Sequence, residues 1–269
     1  MLRLEVIDMN ELRMTKCAWA CSQLLLGALI LAQVSCGSGG GKKKFPLPEN
    51  FDPDAPYTVS ITGADLSKTI DNPFFPAPEG ATWVYRSETD EGTERIDVAV
   101  LSAADPKGTR NVNGADARVI RDTVKLNGEV IEDTWDWYGQ DADGNVWYLG
   151  EDTSEFEDGK LVCHCGAWEW GVNGALPGYI MLADPMVGDA YRQEYYKGVA
   201  EDVAEIVMRN VTVNVSAGTF TGCLKTRDVS VIDRSYQEFK YYCPGVGLVL
   251  ELEDDERVEL ISYTGLTPL

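Results

Sequence analysis

From Phe51 to the C terminus, hydrophobic residues come in short runs and not at helical spacing. Val, Ile, Thr, Tyr and Trp dominate these runs, and turn dipeptides such as Asn127-Gly128 and Asp158-Gly159 separate them. β-branched and aromatic residues are typical of strands, and Asn-Gly supplies the positive φ angles of a type I′ hairpin turn. The pattern predicts an all-β fold, in which an antiparallel meander forms a strongly curved sheet, a half-barrel or a sandwich.

The first 50 residues follow a different pattern. The apolar run at residues 24–32 is too short to span a membrane but fits a secretory signal. Val34-Ser35-Cys36 resembles a lipobox, in which a cysteine is acylated and becomes the mature N terminus. An ordinary cleaved signal and an uncleaved hydrophobic tail are the alternatives. We predict a signal peptide at residues 1–35, lipidation at Cys36, a flexible tether at 36–50 and a single all-β domain at 51–269.

The net charge of the chain limits the classes of partner that it can bind. It carries 44 Asp and Glu against 23 Lys and Arg, a net charge of −21. A field of that sign repels phosphate backbones, so we expect no nucleic-acid partner. Lysines 42–44 beside the acyl site would attract anionic headgroups, which supports a membrane partner through a lipid anchor and an extracytoplasmic location in the cell envelope.

The four cysteines beyond the anchor predict disulfides, because an exported chain folds in an oxidising compartment. A turn near residues 233–235 brings Cys223 opposite Cys243, so we predict that these two pair. Cys163 and Cys165 flank the single histidine, His164. Their Cα atoms would be about 6.7 Å apart on a regular strand, so a bridge needs a local bulge. A metal or redox site is the alternative there.

Tryptophans concentrate in the central strands. Alternation along the strands predicts one aromatic surface that includes Trp137, Trp147 and Trp168, which would contact an apolar or sugar ligand. The core of a curved sheet is the alternative interpretation. Glycan hydrolysis would need two carboxyl groups as acid and base, for which Asp136 and Glu169 are candidates.

Asp141, Asp143 and Asn145 share the oxygen spacing that begins a calcium-binding loop. The glycine at position 144 is too early for an EF-hand, so a surface calcium site is one interpretation of this loop and a plain Asp-Gly turn is the alternative. No nucleotide-binding glycine pattern and no Gly-x-Ser-x-Gly nucleophile motif occurs.

Several motifs together resemble an uncharacterised family of exported bacterial β-rich proteins and lipoproteins. They are Asn72-Pro73-Phe74-Phe75-Pro76, Asp136-Trp137-Tyr138, Gly188-Asp189 and Pro244-Gly245-Val246-Gly247-Leu248. The resemblance implies an exported β protein and no particular activity. We therefore expect a non-catalytic binding or envelope-structural module, with a periplasmic or surface glycan hydrolase as the alternative.

Overall fold

The computed structural model describes residues 43–266, which contain one short 3₁₀ helix at Gly63–Asp65 and sixteen β-strands. The strands are β1 (Thr82–Thr89), β2 (Gly92–Val100), β3 (Arg110–Val112), β4 (Ala115–Leu126), β5 (Glu129–Gln140), β6 (Val146–Glu157), β7 (Lys160–Cys163), β8 (Trp168–Glu169), β9 (Leu176–Met181), β10 (Ala190–Arg192), β11 (Glu194–Tyr195), β12 (Asp202–Val215), β13 (Gly218–Ser230), β14 (Gln237–Cys243), β15 (Gly247–Glu253) and β16 (Glu256–Thr264). The prediction of an all-β fold is confirmed.

The strands form one curved antiparallel sheet. Its order is β10-β12-β13-β14-β15-β16-β1-β2-β4-β5-β6-β9-β11, with β3, β7 and β8 attached to the side of this path. The two ends of the path, β10 and β11, are separated in the chain by Gln193 alone. Residues 190–195, which we call the closing segment, therefore pair with β12 through β10 and with β9 through β11. This double pairing makes the sheet a nearly closed, barrel-like curve.

Local sequence explains the hairpins. At the β4–β5 turn, Asn127 and Gly128 adopt φ angles of 52° and 93°. At the β6–β7 turn, Asp158 and Gly159 adopt 52° and 69°. Both pairs lie in the left-handed region that a type I′ turn requires, and Asn, Asp and Gly enter it at low cost.

Strands β5 and β6 are buried on both faces. Their inner face carries Tyr138 and Tyr148, which belong to the main core inside the curve. Their outer face carries Trp137 and Trp147, which pack in a second cluster with Leu66. The segment that precedes β1 supplies this outer cover, and an isolated bridge between residues 67 and 140 fixes its position.

The described end of the predicted tether contacts the domain. The Phe45 backbone N–H donates to Arg234 O at 2.8 Å, and the Arg234 guanidinium donates to Phe45 O at 2.7 Å. Arg227 Nη1 donates to Pro46 O at 2.9 Å. The predicted signal peptide and Cys36 lie outside the described residues. Within residues 43–266, no helix is long and apolar enough to cross a membrane.

Candidate functional site

The inside of the curved sheet is rich in carboxyl groups. Eight acidic side chains, each less than 9% exposed, lie there and are called the acidic interior: Asp122, Glu132, Asp136, Glu151, Glu194, Asp228, Glu238 and Glu251. Lys240, 3% exposed in the same space, brings a cation among them. Charged groups are rarely buried without partners, so this concentration marks the region as the strongest candidate for a functional site.

Strand alternation places these acids inside. On β5, Glu132 and Asp136 share the inner face with Tyr138, and Trp137 faces the other way. In the β5–β6 ladder, Asp136 lies directly opposite Glu151. On the far side of the curve, Lys240 of β14 lies opposite Glu251 of β15. The acids thus come from strands that are far apart in sequence.

Protein donors satisfy part of the acidic interior. Tyr148 Oη–H donates to Asp136 Oδ1 at 2.7 Å, and Trp168 Nε1–H donates to Glu194 Oε2 at 2.8 Å. Lys240 Nζ lies 2.5 Å from Glu238 Oε1. Among the described residues, four buried oxygens of the set have no hydrogen-bond partner: Asp122 Oδ1, Glu132 Oε2, Asp228 Oδ1 and Glu251 Oε1. Unpaired buried oxygens are uncommon in native proteins and point to water, a proton or a ligand at the site.

Burial changes the ionisation of these groups. It raises the pKa of the Asp122 carboxyl well above its usual range, and the neighbouring Asp136 raises that pKa further. Burial also raises the pKa of Glu132, with Asp122 adding to the shift. Burial lowers the pKa of Lys240, but Glu238 and Asp228 outweigh it and hold that pKa well above its usual range. The interior therefore favours protonated carboxyl groups except where a cation pairs with them.

A cavity of about 60 Å³ opens onto the acidic interior. By the volume that one buried water needs, it holds about four water molecules. Its wall includes the rings of Phe75, Trp83, Tyr85 and Tyr138, and its polar part is Asp122 and Asp136. Trp83 Nε1–H donates to Val246 O at 2.8 Å and Tyr85 Oη–H to Leu248 O at 2.9 Å, so hydrogen bonds hold two of the rings in place.

The three tryptophans predicted as ligand contacts do not share one surface. Trp137 and Trp147 lie in the outer cluster, and Trp168 faces the interior. They are 6%, 4% and 4% exposed, so none presents an open face. Trp168 pairs with Glu151, which pairs with Asp136, so ordinary alternation already puts Trp168 on the face opposite Trp137. A β-bulge in β6, where Trp137 pairs with Gly150 but Tyr138 pairs with Tyr148, then moves Trp147 to the outer face. One extra residue reverses which face the following side chains occupy, which strict alternation cannot anticipate.

The two candidate acids for glycan hydrolysis are also separated. Asp136 lies in the interior, whereas Glu169 forms an ion pair with Arg110 on the outer side. The acidic interior was not predicted from the sequence, because its acids lie on strands far apart in the chain and converge only in the curved sheet. The sequence offers one partial signal, because Glu132 and Asp136 are an even number of residues apart on β5 and therefore share a face.

The predicted calcium residues form the β5–β6 turn. Asp141 Oδ1 accepts the backbone N–H groups of Asp143 and Asn145, at 3.0 and 2.9 Å. Asp141 Oδ2 accepts Asn145 Nδ2–H at 2.9 Å and Trp147 Nε1–H at 2.8 Å. Asn145 Oδ1 accepts the Ala183 N–H at 2.9 Å. These hydrogen bonds engage the Asp141 and Asn145 oxygens that a cation would need, which favours the turn interpretation.

We therefore expect Asp141→Ala to lower the free energy of unfolding by about 2 kcal/mol, because it removes the acceptor for several hydrogen bonds. Asp143→Ala, at an exposed neighbouring position, should change it by less than about 0.5 kcal/mol. Urea denaturation measures both. Millimolar calcium should leave the wild-type melting temperature unchanged. A rise with calcium that magnesium does not reproduce would restore the calcium hypothesis.

Both cysteine pairs form disulfides. Cys223 and Cys243 join β13 to β14 with Cα atoms 4.1 Å apart. Cys163 and Cys165 are bonded with Cα atoms 5.3 Å apart. Strand β7 ends at Cys163, so His164 and Cys165 lie outside the regular strand and their Cα spacing is not that of extended backbone. The register shift in the β6–β7 ladder lies before Cys163, between Leu161 and Cys163. One Glu155 oxygen and both sulfur atoms lie within 4.8 Å of one another.

No known protein family and no curated protein matches this chain. Two solved structures resemble it. A presumed exported protein with a YmcC-like fold from Bacteroides fragilis is 17% identical over 71% of this chain and 99% of its own, with a TM-score of 0.38. A presumed lipoprotein from Parabacteroides distasonis is 13% identical over 71% and 98%, with a TM-score of 0.35. These two descriptions are consistent with the class of exported bacterial β-rich proteins that the sequence motifs resemble.

Proposed function

We propose that this chain is an exported, lipid-anchored and non-catalytic binding module of the bacterial cell envelope, and that its ligand enters the cavity beside Asp122 and Asp136. The observation that carries the proposal is the cavity itself, where apolar and aromatic walls meet a few polar groups. Binding sites for small molecules typically combine these features. The signal-like segment and Cys36 support the export and the anchor.

The unpaired oxygen of Asp122 supports a binding role over a purely structural one. Asp122 is 5% exposed, and its Oδ1 atom has no partner among the described residues. Leaving a buried acceptor unpaired costs about 1–3 kcal/mol. A residue that served packing alone would be better replaced by an apolar one, because burying an unpaired carboxyl destabilises the fold. A ligand that donates a hydrogen bond recovers part of this cost.

The geometry favours binding over glycan hydrolysis. A glycosidase places its two carboxyl groups on opposite sides of the scissile bond. The carboxyl groups that line this cavity, Asp122 and Asp136, come from the adjacent strands β4 and β5 and so form one wall. The cavity is also too small for a sugar ring, because it has room for about four water molecules and a sugar ring has many more heavy atoms than four.

One preparation tests the proposal. The protein is extracted with mild detergent from envelopes of the cells that make it and analysed by native and then denaturing mass spectrometry. We expect a diacylated or triacylated Cys36 at the mature N terminus and a small molecule that is released on denaturation. Phe substituted for Ile120, which lines the cavity, should reduce the amount of released molecule. An unmodified terminus at another residue would refute the anchor, and an empty wild-type protein would refute the binding role.

A further inference from the structure

The acidic interior already holds one buried cation, the ammonium group of Lys240. The Lys240 ammonium group, 3% exposed, lies 2.5 Å from Glu238 Oε1 and 3.6 Å from Asp228 Oδ2. A buried ammonium is tolerated only where carboxylates compensate for its lost hydration. The inside of the curve therefore has the electrostatic character needed to hold an ammonium ion away from bulk water.

The cavity repeats the acidic half of this arrangement. Asp122 and Asp136 line it, and among the described residues around it there is neither a lysine nor an arginine. Asp136 Oδ1 is engaged by Tyr148, but Asp122 Oδ1 has no partner within the described part of the chain. Within the described residues, Asp122 Oδ1 thus receives no hydrogen bond and no cation lines the cavity, and an ammonium group would supply both a donor and a positive charge.

The remaining wall suits both parts of an amine. The rings of Trp83, Tyr85 and Tyr138 surround the space beside the two carboxyl groups. Aromatic faces attract cations, and the attraction is stronger where water is excluded. Val98, Ile120 and Ile180 also line the cavity and offer apolar contact to an alkyl stem. Room for about four water molecules matches an amine with a short stem.

We propose that the cavity binds a primary ammonium group on a short apolar stem, held by Asp122 and Asp136 and enclosed by the aromatic rings of the wall. This inference rests on the proposed binding function and specifies its ligand class. A primary ammonium fits better than a quaternary one, because the unpaired Asp122 oxygen needs an N–H donor. A cation beside Asp122 and Asp136 would stabilise their ionised form, which a neutral ligand of the same shape would not do.

Isothermal titration calorimetry with two matched probes tests the inference. Propylammonium chloride and propan-1-ol have the same number of heavy atoms and differ mainly in charge. Each is titrated into wild-type protein at pH 8, where more carboxyl groups are ionised than at pH 5, with sodium chloride holding the ionic strength constant. We expect propylammonium to bind at least tenfold more tightly than propan-1-ol, the ratio that a charge-assisted hydrogen bond provides.

Variants locate the binding. Asp122→Asn should weaken propylammonium binding at least tenfold, and Asp136→Asn is a second variant in case the first does not fold. Asp90→Asn removes an equal charge from an exposed turn and should leave the affinity unchanged. Thermal melts confirm that each variant is folded.

The outcomes separate the two proposals. Equal binding of both probes would overturn the ammonium inference and leave the cavity as a ligand site. Absence of binding by either probe would count against the inference and the proposed cavity together. Equal affinity in wild type and in the folded Asp122 or Asp136 variant would overturn the inference, because the cation would then be held elsewhere on the acidic surface.

Discussion

The melting temperature of this protein is expected to fall as the pH rises from 5 to 8. Burial raises the pKa of Glu94 to about 7 and that of Glu253 to about 8, with neighbouring carboxylates adding to both shifts. Burial likewise raises the pKa of Glu132 and Glu151 well above the usual range. In the unfolded chain these groups titrate near pH 4. Between that value and their folded pKa the native state binds more protons, so stability is lost as pH rises.

The effect should be large because several groups contribute. One pKa unit corresponds to about 1.4 kcal/mol, and 1 kcal/mol shifts the melting temperature of a domain this size by about 2–4 °C. We expect a fall of about 10 °C or more, measured by circular dichroism at constant ionic strength. Glu132→Gln removes one titrating group and should reduce the difference between pH 5 and pH 8. A melting temperature that is constant or that rises towards pH 8 would contradict the assignment.

Lys240→Met is expected to destabilise the protein by about 3–5 kcal/mol, because it leaves carboxyl groups buried without their cation. Glu238 and Asp228 contact the Lys240 ammonium group directly, and Glu251 lies opposite it in the ladder. Met matches the length and apolar stem of lysine, so lost packing contributes little. Urea denaturation at pH 7 measures the loss.

Lys225→Met is the matched control on the neighbouring strand β13. Lys225 is half-buried and its ammonium group lies 3.7 Å from the centre of the Phe239 ring, a contact worth about 1 kcal/mol or less at such a site. If both variants lose the same stability, the acidic interior does not depend on Lys240 and the electrostatic description of it is wrong.

The sequence was sufficient for the fold class because its signals are local. Asn127-Gly128 and Asp158-Gly159 specify their turns through backbone geometry alone, and the hairpin between β13 and β14 brings Cys223 to Cys243. The closure of the sheet could not be predicted from such local signals. The closing segment pairs with β9 and β12, and nothing in its six residues specifies two partners.

The site was unpredictable for a physical reason. Alternating patterns are normally interpreted with polar residues facing water, and on β5 the order is reversed. Asp136 faces the enclosed space, whereas Trp137 faces outward under the cover that Leu66 helps to form. The β6 bulge then separates Trp147 from Trp168. The covering segment before β1 decides which face of β5 meets solvent, and the one-residue bulge decides where Trp147 lies. Neither feature can be recognised from the spacing of hydrophobic residues.

The closing segment also has a kinetic consequence. Until residues 190–195 dock on both β9 and β12, the carboxyl groups inside the curve stay hydrated and ionised at neutral pH. Docking is therefore the step that desolvates them, and it must follow the formation of strands at opposite ends of the sheet. Such long-range pairing is slow because the chain loses the entropy of loop closure before the new contacts stabilise it. We therefore expect proton uptake to accompany this docking step, and refolding to be faster in mildly acidic buffer than at neutral pH.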